Sequence, residues 1–144
     1  MIESRLALQQ RGFTLMEVLV TVLILSIGLL GAAQMQIQSQ KYSYASAQRA
    51  LAIVQVSDLA ERLWNGACDI QADPATASAA IVTAWEAAHT GGTLGSWTGA
   101  ATLTGTTGDP SFRFDITVTW QDNRFDLSES LSRTVVIPSL AGCV

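Results

Sequence analysis

The architecture of this chain is decided by one stretch near its start, residues 13–33, with the sequence FTLMEVLVTVLILSIGLLGAA. From Phe13 to Gln40 the only ionisable side chain is Glu17. About twenty apolar residues, with a rise of about 1.5 Å each, span the roughly 30 Å hydrocarbon core of a bilayer. The stretch therefore predicts a helix that crosses a membrane once.

The basic residues around this stretch indicate its orientation. Arg5 and Arg11 precede the apolar run, and the next basic residue is Lys41. Because positive charge is retained on the cytoplasmic side, the first residues are expected in the cytoplasm and the remainder across the membrane. A removable secretory signal has a shorter apolar region and a small-x-small cleavage site, so this longer run favours a retained helix.

The overall composition excludes several classes of protein. With 144 residues the chain has room for one modest domain, which excludes a multidomain enzyme. The net charge of -4 disfavours a nucleic-acid-binding surface. One His and two Cys are too few for a zinc cage.

Residues 11–20, RGFTLMEVLV, resemble the leader junction of type IV pilins: a basic leader, Gly, Phe, and an acid four residues after the Phe. Residues 26–31 and 59–65 resemble the PilV group of minor pilins, so the resemblance covers about the first 65 residues. It implies that prepilin peptidase cuts after Gly12 and methylates the new terminal amine of Phe13.

The resemblance also implies a fold and a domain organisation. The fold is expected to be α+β, with a long N-terminal helix packed on a small antiparallel sheet. Residues 1–12 would form a cleaved cytoplasmic leader, residues 13–40 the transmembrane and filament-core half of the helix, and residues 41–144 a periplasmic globular domain. The protein would first be a single-pass inner-membrane protein and then part of an extracellular fibre.

By the same resemblance the chain is expected to be a minor pilin that primes or joins the tip of a type IV pilus, helping assembly, adhesion and twitching motility. Implied partners are prepilin peptidase, other minor pilins, the major pilin and the inner-membrane assembly platform; a non-pilin tip adhesin is left open. The alternatives are a minor pseudopilin of a type II secretion system and a pilus-displayed adhesin or DNA-capture subunit. Without the leader six basic side chains face eleven acidic ones, which disfavours DNA capture.

Glu17 has two open interpretations. After cleavage the amine of Phe13 would lie one helical turn away, so Glu17 can pair within its own chain and favour the helix dipole. In the second interpretation Glu17 meets the terminal amine of a neighbouring subunit, and the attraction of the two charges in low-dielectric surroundings sets the register between helices. In this second interpretation Glu17 is the residue that directs the assembly of subunits.

Two further glycines interrupt the apolar run. Gly28 and Gly31 lower helix propensity by about 1 kcal/mol each relative to Ala. They predict either local unwinding of the helix or close packing against another helix, and the sequence does not decide between the two.

Beyond the apolar run the helix is expected to continue to Asn65 and stop at Gly66. An apolar stripe at spacings of three and four predicts the buried face, and Asp58 and Arg62 form an i,i+4 pair expected in solvent. The stripe comprises Ala52, Val56, Leu59 and Leu63, while Arg49, Gln55, Asp58 and Arg62 fall outside it.

The second half of the chain predicts one short helix and three strands. The helix, residues 76–89, is expected to use Ala80, Ile81, Ala84, Trp85 and Ala88 as its apolar side. Alternation in residues 112–121 predicts a strand with one buried face. A weak strand is expected near residues 100–104 and a further strand at residues 131–137, with a turn at residues 122–123.

Cys68 and Cys143 are predicted to form a disulfide, because export places both in an oxidising compartment. Such a bond would tie the carboxyl end of the chain to the end of the long helix. Two free thiols too far apart to bridge remain the alternative.

The sequence predicts no enzyme, cofactor or metal site. Glu86 and His89 form an E-x-x-H pair, but one His without a second carboxylate is better explained as a solvated helix face. A second group of four side chains carries oxygen atoms that calcium could use, but its spacing lacks the EF-hand order and favours a turn. It comprises Asp122, Asn123, Asp126 and Glu129.

Overall fold

The computed structural model describes residues 12–122, 124–125 and 127–143. The chain forms two compact units, Met1–Gln40 and Lys41–Val144. One helix, α1 (Leu15–Asn65), contributes its first part to the first unit and its second part to the second. The predicted end of this helix at Asn65 is confirmed.

The second unit combines helices with a three-stranded antiparallel sheet in the order β1-β2-β3. It confirms the predicted α+β fold, a long helix packed on a small antiparallel sheet. After α1 its elements are α2 (Ala67–Ala72), α3 (Pro74–His89), β1 (Thr98–Thr104), β2 (Ser111–Asp122) and β3 (Leu127–Pro138).

Strand β2 is the centre of the sheet, and its side chains alternate between the core and solvent. Its apolar inward side chains are all 2% exposed or less; they are Phe112, Phe114, Ile116, Val118 and Trp120. In the register Phe114 faces Leu103 of β1 and Val135 of β3, so one row of apolar residues crosses all three strands. The period-2 pattern of the sequence is thus realised as one buried face.

The second part of α1 supplies the other wall of the core. The four residues of the predicted stripe are all 1% exposed or less and belong to the same cluster as the inward side chains of β2; they are Ala52, Val56, Leu59 and Leu63. The prediction that Gln55 lies outside the buried face is wrong, since Gln55 is only 9% exposed. Its side-chain amide accepts a hydrogen bond from Trp97, and its backbone carbonyl accepts one from Trp85, as described below.

Helix α3 begins at Pro74 behind an Asp73 cap, whose side chain accepts a hydrogen bond from the backbone N–H of Thr76 at 3.2 Å. Hydrogen bonds from Thr76 hold the pKa of Asp73 below its usual value. An oxygen-bearing cap followed by Pro is a typical helix start, because the first backbone N–H groups lack partners within the helix.

The predicted apolar side of α3 is partly wrong. Trp85 is fully buried and Ile81 packs on the core, but the other three predicted residues are exposed; they are Ala80, Ala84 and Ala88. Burial of the Trp85 indole removes far more apolar surface from water than burial of three alanines, so the tryptophan sets the rotation of the helix.

Two features between α1 and α3 were not expected. Residues 67–72 form the short helix α2, in which Ile70 is fully buried. Gly66 has φ of -89°, so it does not serve as a left-handed cap. A Cβ at Gly66 would lie 2.6 Å from Cδ1 of Ile81, so α3 packs closely at this position and a larger residue would require the Ile81 side chain to move.

Candidate functional site

The start of α1 brings together the residues predicted for processing and assembly. Gly12, Phe13 and Thr14 precede the first helical turn, and with Glu17 they line one open cavity of about 620 Å³. Phe13 is 82% exposed, and a Cβ at Gly12 would meet no atom within 4 Å. Gly12 and Phe13 are both exposed, so the junction between them is accessible, and Glu17 lines the same cavity.

Thr14 fixes the start of the helix. Its Oγ1 accepts a hydrogen bond from the backbone N–H of Glu17 at 3.3 Å, and its carbonyl oxygen accepts from the same N–H at 3.0 Å. Sequence reasoning missed this role, although the spacing Thr14-x-x-Glu17 is the signature of a capping box. Thr14 therefore places Glu17 in the first turn of α1.

The Glu17 carboxylate is exposed and makes no salt bridge within the part of the chain that the structure describes. Its position in the first turn suits the positive end of the helix dipole. The carboxylate is thus available to a positive group that arrives from outside the chain.

The described side chains of the first unit are exposed along its whole length. One helix of the described chain is long and apolar enough to cross a membrane, and none of its most apolar window is buried. Leu15, Leu29 and Leu30 are each at least 67% exposed. A continuous apolar surface of this extent requires lipid or other helices to cover it.

Gly28 and Gly31 lie within this apolar surface. The helix is unbroken at both, and a Cβ at either position would meet no atom within 4 Å. The single chain thus shows no unwinding at these glycines, and close packing against another helix remains the prediction for them.

An ion cluster links α1 to α3 in the second unit. The carboxylate of Asp58 accepts from Nε of Arg62 at 3.0 Å and lies 3.1 Å from Nε2 of His89. The interpretation of His89 as a solvated helix residue is wrong, because its side chain is 22% exposed and packs near Trp85 and Trp97. The predicted pair of Asp58 and Arg62 is confirmed, but it lies half-buried at a helix interface.

Burial by itself would raise the pKa of Asp58, but hydrogen bonds from Arg62 and His89, together with their charges, hold it below its usual value of 3.8. No group of three or more His, Cys, Asp or Glu side chains among the described residues is arranged to hold a metal ion. The geometry of Asp58, Arg62 and His89 therefore indicates a structural link between helices.

Gln55 of α1 accepts hydrogen bonds from Trp85 and Trp97, the two tryptophans that pack near His89. Its backbone carbonyl accepts from Nε1 of Trp85 at 3.0 Å, and its side-chain Oε1 accepts from Nε1 of Trp97 at 2.8 Å. The two rings meet edge to face with centroids 5.3 Å apart. A Cβ at Gly99 would clash with both rings, so β1 carries glycine at this position.

The predicted disulfide is present. Cys68 of α2 is bonded to Cys143, with their Cα atoms 5.1 Å apart. Nearby, the backbone N–H of Leu140 donates to the side chain of Gln71 at 2.8 Å. The carboxyl end of the chain is thus linked to α2, the short helix that follows α1.

The acidic group at the β2–β3 turn supports the turn interpretation. Asp122 is 2% exposed, and its Oδ1 accepts from the backbone N–H of Arg124 at 2.9 Å. Glu129 forms an ion pair with Arg49 at 2.6 Å. Asn123 and Asp126 lie outside the described residues.

Comparison with known proteins agrees with the site at the start of α1. Residues 8–33 match the model of the prokaryotic N-terminal methylation motif. No curated protein and no solved structure matches the chain significantly. The motif supports a type IV pilin-like or pseudopilin protein, implies processing by prepilin peptidase and association with pilus machinery at the membrane, and points to a structural role.

Proposed function

We propose that this chain is a minor pilin of the PilV type, which is cut between Gly12 and Phe13, methylated on Phe13, and packed into the start or tip of a type IV pilus. The observation that carries the proposal is an accessible junction at residues 12–13 followed by the apolar first part of α1, none of whose most apolar window is buried. A membrane anchor alone needs the apolar helix but not this junction.

Glu17 is assigned the assembly role. Its carboxylate has no cationic partner within the described chain and sits in the first turn, one turn from the amine that cleavage would create at Phe13. An unpaired carboxylate within the apolar part of a membrane is unfavourable. Docking beside a neighbouring subunit whose terminal amine reaches Glu17 removes that cost and fixes the stagger between the two helices.

The domain roles follow from this assignment. Residues 1–12 are the cytoplasmic leader, residues 13–40 hold the chain in the inner membrane and later in the filament core, and residues 41–144 are displayed outside the cytoplasm. The disulfide between Cys68 and Cys143 suits the oxidising compartment that this placement requires. The proposed partners are the major pilin, other minor pilins and the assembly platform.

Mass spectrometry of the mature protein tests the processing step. The first residue should be a methylated Phe13 in cells that possess prepilin peptidase. A chain that still begins at Met1 in such cells would contradict the proposal.

A minor pseudopilin of a type II secretion system is the second candidate, because it shares the methylation motif and the apolar helix. Deletion of the gene distinguishes the two functions. Loss of surface pili with normal enzyme secretion supports the minor pilin, whereas normal pili with impaired secretion supports the pseudopilin.

A further inference from the structure

The first residues of the second unit carry basic and aromatic side chains that have no role in the function proposed above. Lys41 follows directly after residue 40, the last residue assigned to the membrane. Tyr42 is 66% exposed and Tyr44 is 39% exposed. Because these residues are covalently joined to the membrane segment, they emerge where the lipid head groups lie.

The turn between β2 and β3 packs against these residues. The rings of Phe125 and Tyr42 have centroids 5.9 Å apart, and Cζ of Arg124 lies 3.4 Å from the ring centroid of Tyr44. Asp122 holds the turn: its Oδ1 accepts from the backbone N–H of Arg124 at 2.9 Å, and its carbonyl oxygen accepts from that of Phe125 at 3.2 Å. The fold therefore brings a distant turn to the residues that follow the membrane segment.

The turn and the start of the second unit together form an open surface, here called the turn patch. It comprises Lys41, Tyr42, Arg124, Phe125 and Leu127. Leu127 is 55% exposed, and with Tyr42 and Phe125 it lines an open cavity of about 480 Å³. Nζ of Lys41 lies 5.9 Å from the ring centroid of Phe125. The turn patch thus combines exposed apolar surface with two cationic side chains.

The charges of the turn patch suit phosphate groups. Neither Lys41 nor Arg124 makes an ion pair within the part of the chain that the structure describes. The two acids that line the cavity are engaged, since Asp122 is 2% exposed and binds the turn backbone while Glu129 forms an ion pair. The sequence also places Asp126 in this turn, outside the described residues, and one acid does not offset two cations. Phosphate oxygens accept hydrogen bonds from both kinds of basic side chain.

We propose that the turn patch docks on the phospholipid surface beside the membrane segment, with Lys41 and Arg124 on lipid phosphates and Tyr42, Phe125 and Leu127 among the head groups. The inference rests on the proposed placement of residues 13–40 in the membrane. Aromatic side chains are enriched at this depth, and basic side chains place their alkyl stems on apolar surface there while the charge stays in water. Lipid is favoured over a protein partner, because the covalent link to residue 40 keeps a bilayer near the turn patch from insertion onward.

The test uses the full-length mature protein in vesicles of phosphatidylcholine and phosphatidylglycerol, with a nitroxide quencher on part of the lipid head groups. A fluorescent dye on Ser128→Cys reports on the turn, since both native cysteines are held in the disulfide. The matched control is a dye on Thr107→Cys, an exposed residue of the β1–β2 loop. The twelve residues of β2 separate the two ends of the sheet by about 40 Å, so quenching at Ser128→Cys should be roughly threefold or more above that at Thr107→Cys.

Two substitutions in the turn patch separate docking from mere proximity to the membrane. Leu127→Ser and Arg124→Gln, each combined with the dye on Ser128→Cys, should lower the quenching by about half or more, because each removes a group that contacts lipid. The matched controls are Val136→Ser and Arg113→Gln, two exposed residues that pair with each other at the far end of the sheet. Both controls should leave the quenching unchanged.

Several outcomes would overturn the proposal. These are equal quenching at the two dye positions, absence of quenching at both, and unchanged quenching in both turn-patch variants. A spectral shift of the dye on Ser128→Cys that rises with protein concentration in detergent would also overturn it, because a second copy of the chain would then cover the turn patch.

Flotation of the same vesicles distinguishes this proposal from the membrane placement on which it rests. A chain that does not float with the vesicles contradicts the membrane segment and the docking together. A chain that floats but shows no quenching at Ser128→Cys contradicts only the docking of the turn patch.

Discussion

His89 of α3 lies with its Nε2 3.1 Å from Oδ2 of Asp58 on α1, and the same carboxylate binds Nε of Arg62. One carboxylate thus binds Arg62 on its own helix and His89 across the interface of α1 and α3. Its half-buried position gives it more influence on stability than a fully solvated pair would have.

Acid unfolding should depend on Asp58. Its pKa is lower in the folded protein than the usual 3.8, so its contribution to stability is present above about pH 3.8 and is lost as the pH falls through the lower folded value. We expect the unfolding free energy of Asp58→Asn to fall less steeply below pH 4 than that of the wild type. Asp69→Asn, an exposed aspartate on α2, is the control; equal slopes for Asp58→Asn and wild type would contradict the assignment.

Gly99 should not tolerate a larger residue. A methyl group there meets the rings of Trp85 and Trp97, so Gly99→Ala overpacks the core and should destabilise the protein by about 1–3 kcal/mol in urea unfolding. Gly142→Ala, where a Cβ meets no atom within 4 Å, should be nearly neutral. A tolerated alanine at Gly99 would show that the ring arrangement is wrong.

Gln55 and Gln48 should respond differently to replacement by leucine. Gln55→Leu leaves the indole N–H of the half-buried Trp97 without its acceptor, and we expect a loss of about 1 kcal/mol or more. Gln48→Leu removes an oxygen without a partner and should not destabilise. Chemical denaturation of the two variants side by side measures the difference, and equal losses would refute it.

Reduction should weaken the second unit. The bond between Cys68 and Cys143 spans 75 residues, and on the chain-entropy model a loop of this length contributes about 4 kcal/mol. A Cys68→Ser, Cys143→Ser double variant should therefore unfold at a lower temperature than the wild type, and reductant should have no further effect on it. An unchanged unfolding temperature would show that the bond does not constrain the unfolded chain.

The sequence predicts those parts of the fold that depend on local patterns. The end of α1 at Asn65 and the buried face of β2 follow from stop signals and from strict alternation, and the structure confirms both. The start of α1 was equally predictable, because Thr14 and Glu17 carry a capping-box spacing. These features need no knowledge of distant contacts.

Features that depend on distant residues were missed. Gln55 is buried where Trp97, 42 positions away, donates a hydrogen bond to it. His89 is partly buried where it contacts Asp58, 31 positions earlier in the chain. The rotation of α3 depends on space for Trp85 beside Gly99. The spacing of residues within one helix does not indicate which distant residues will contact them.

The most direct test of the central claim is the amount of mature chain in sheared filaments, compared between the wild type and Glu17→Ala at equal total expression. The account predicts that the wild-type chain is recovered in the fibre fraction and that Glu17→Ala stays in the inner membrane. Equal recovery of the variant would contradict pairing through Glu17. A wild-type chain found only in the membrane would contradict assembly itself.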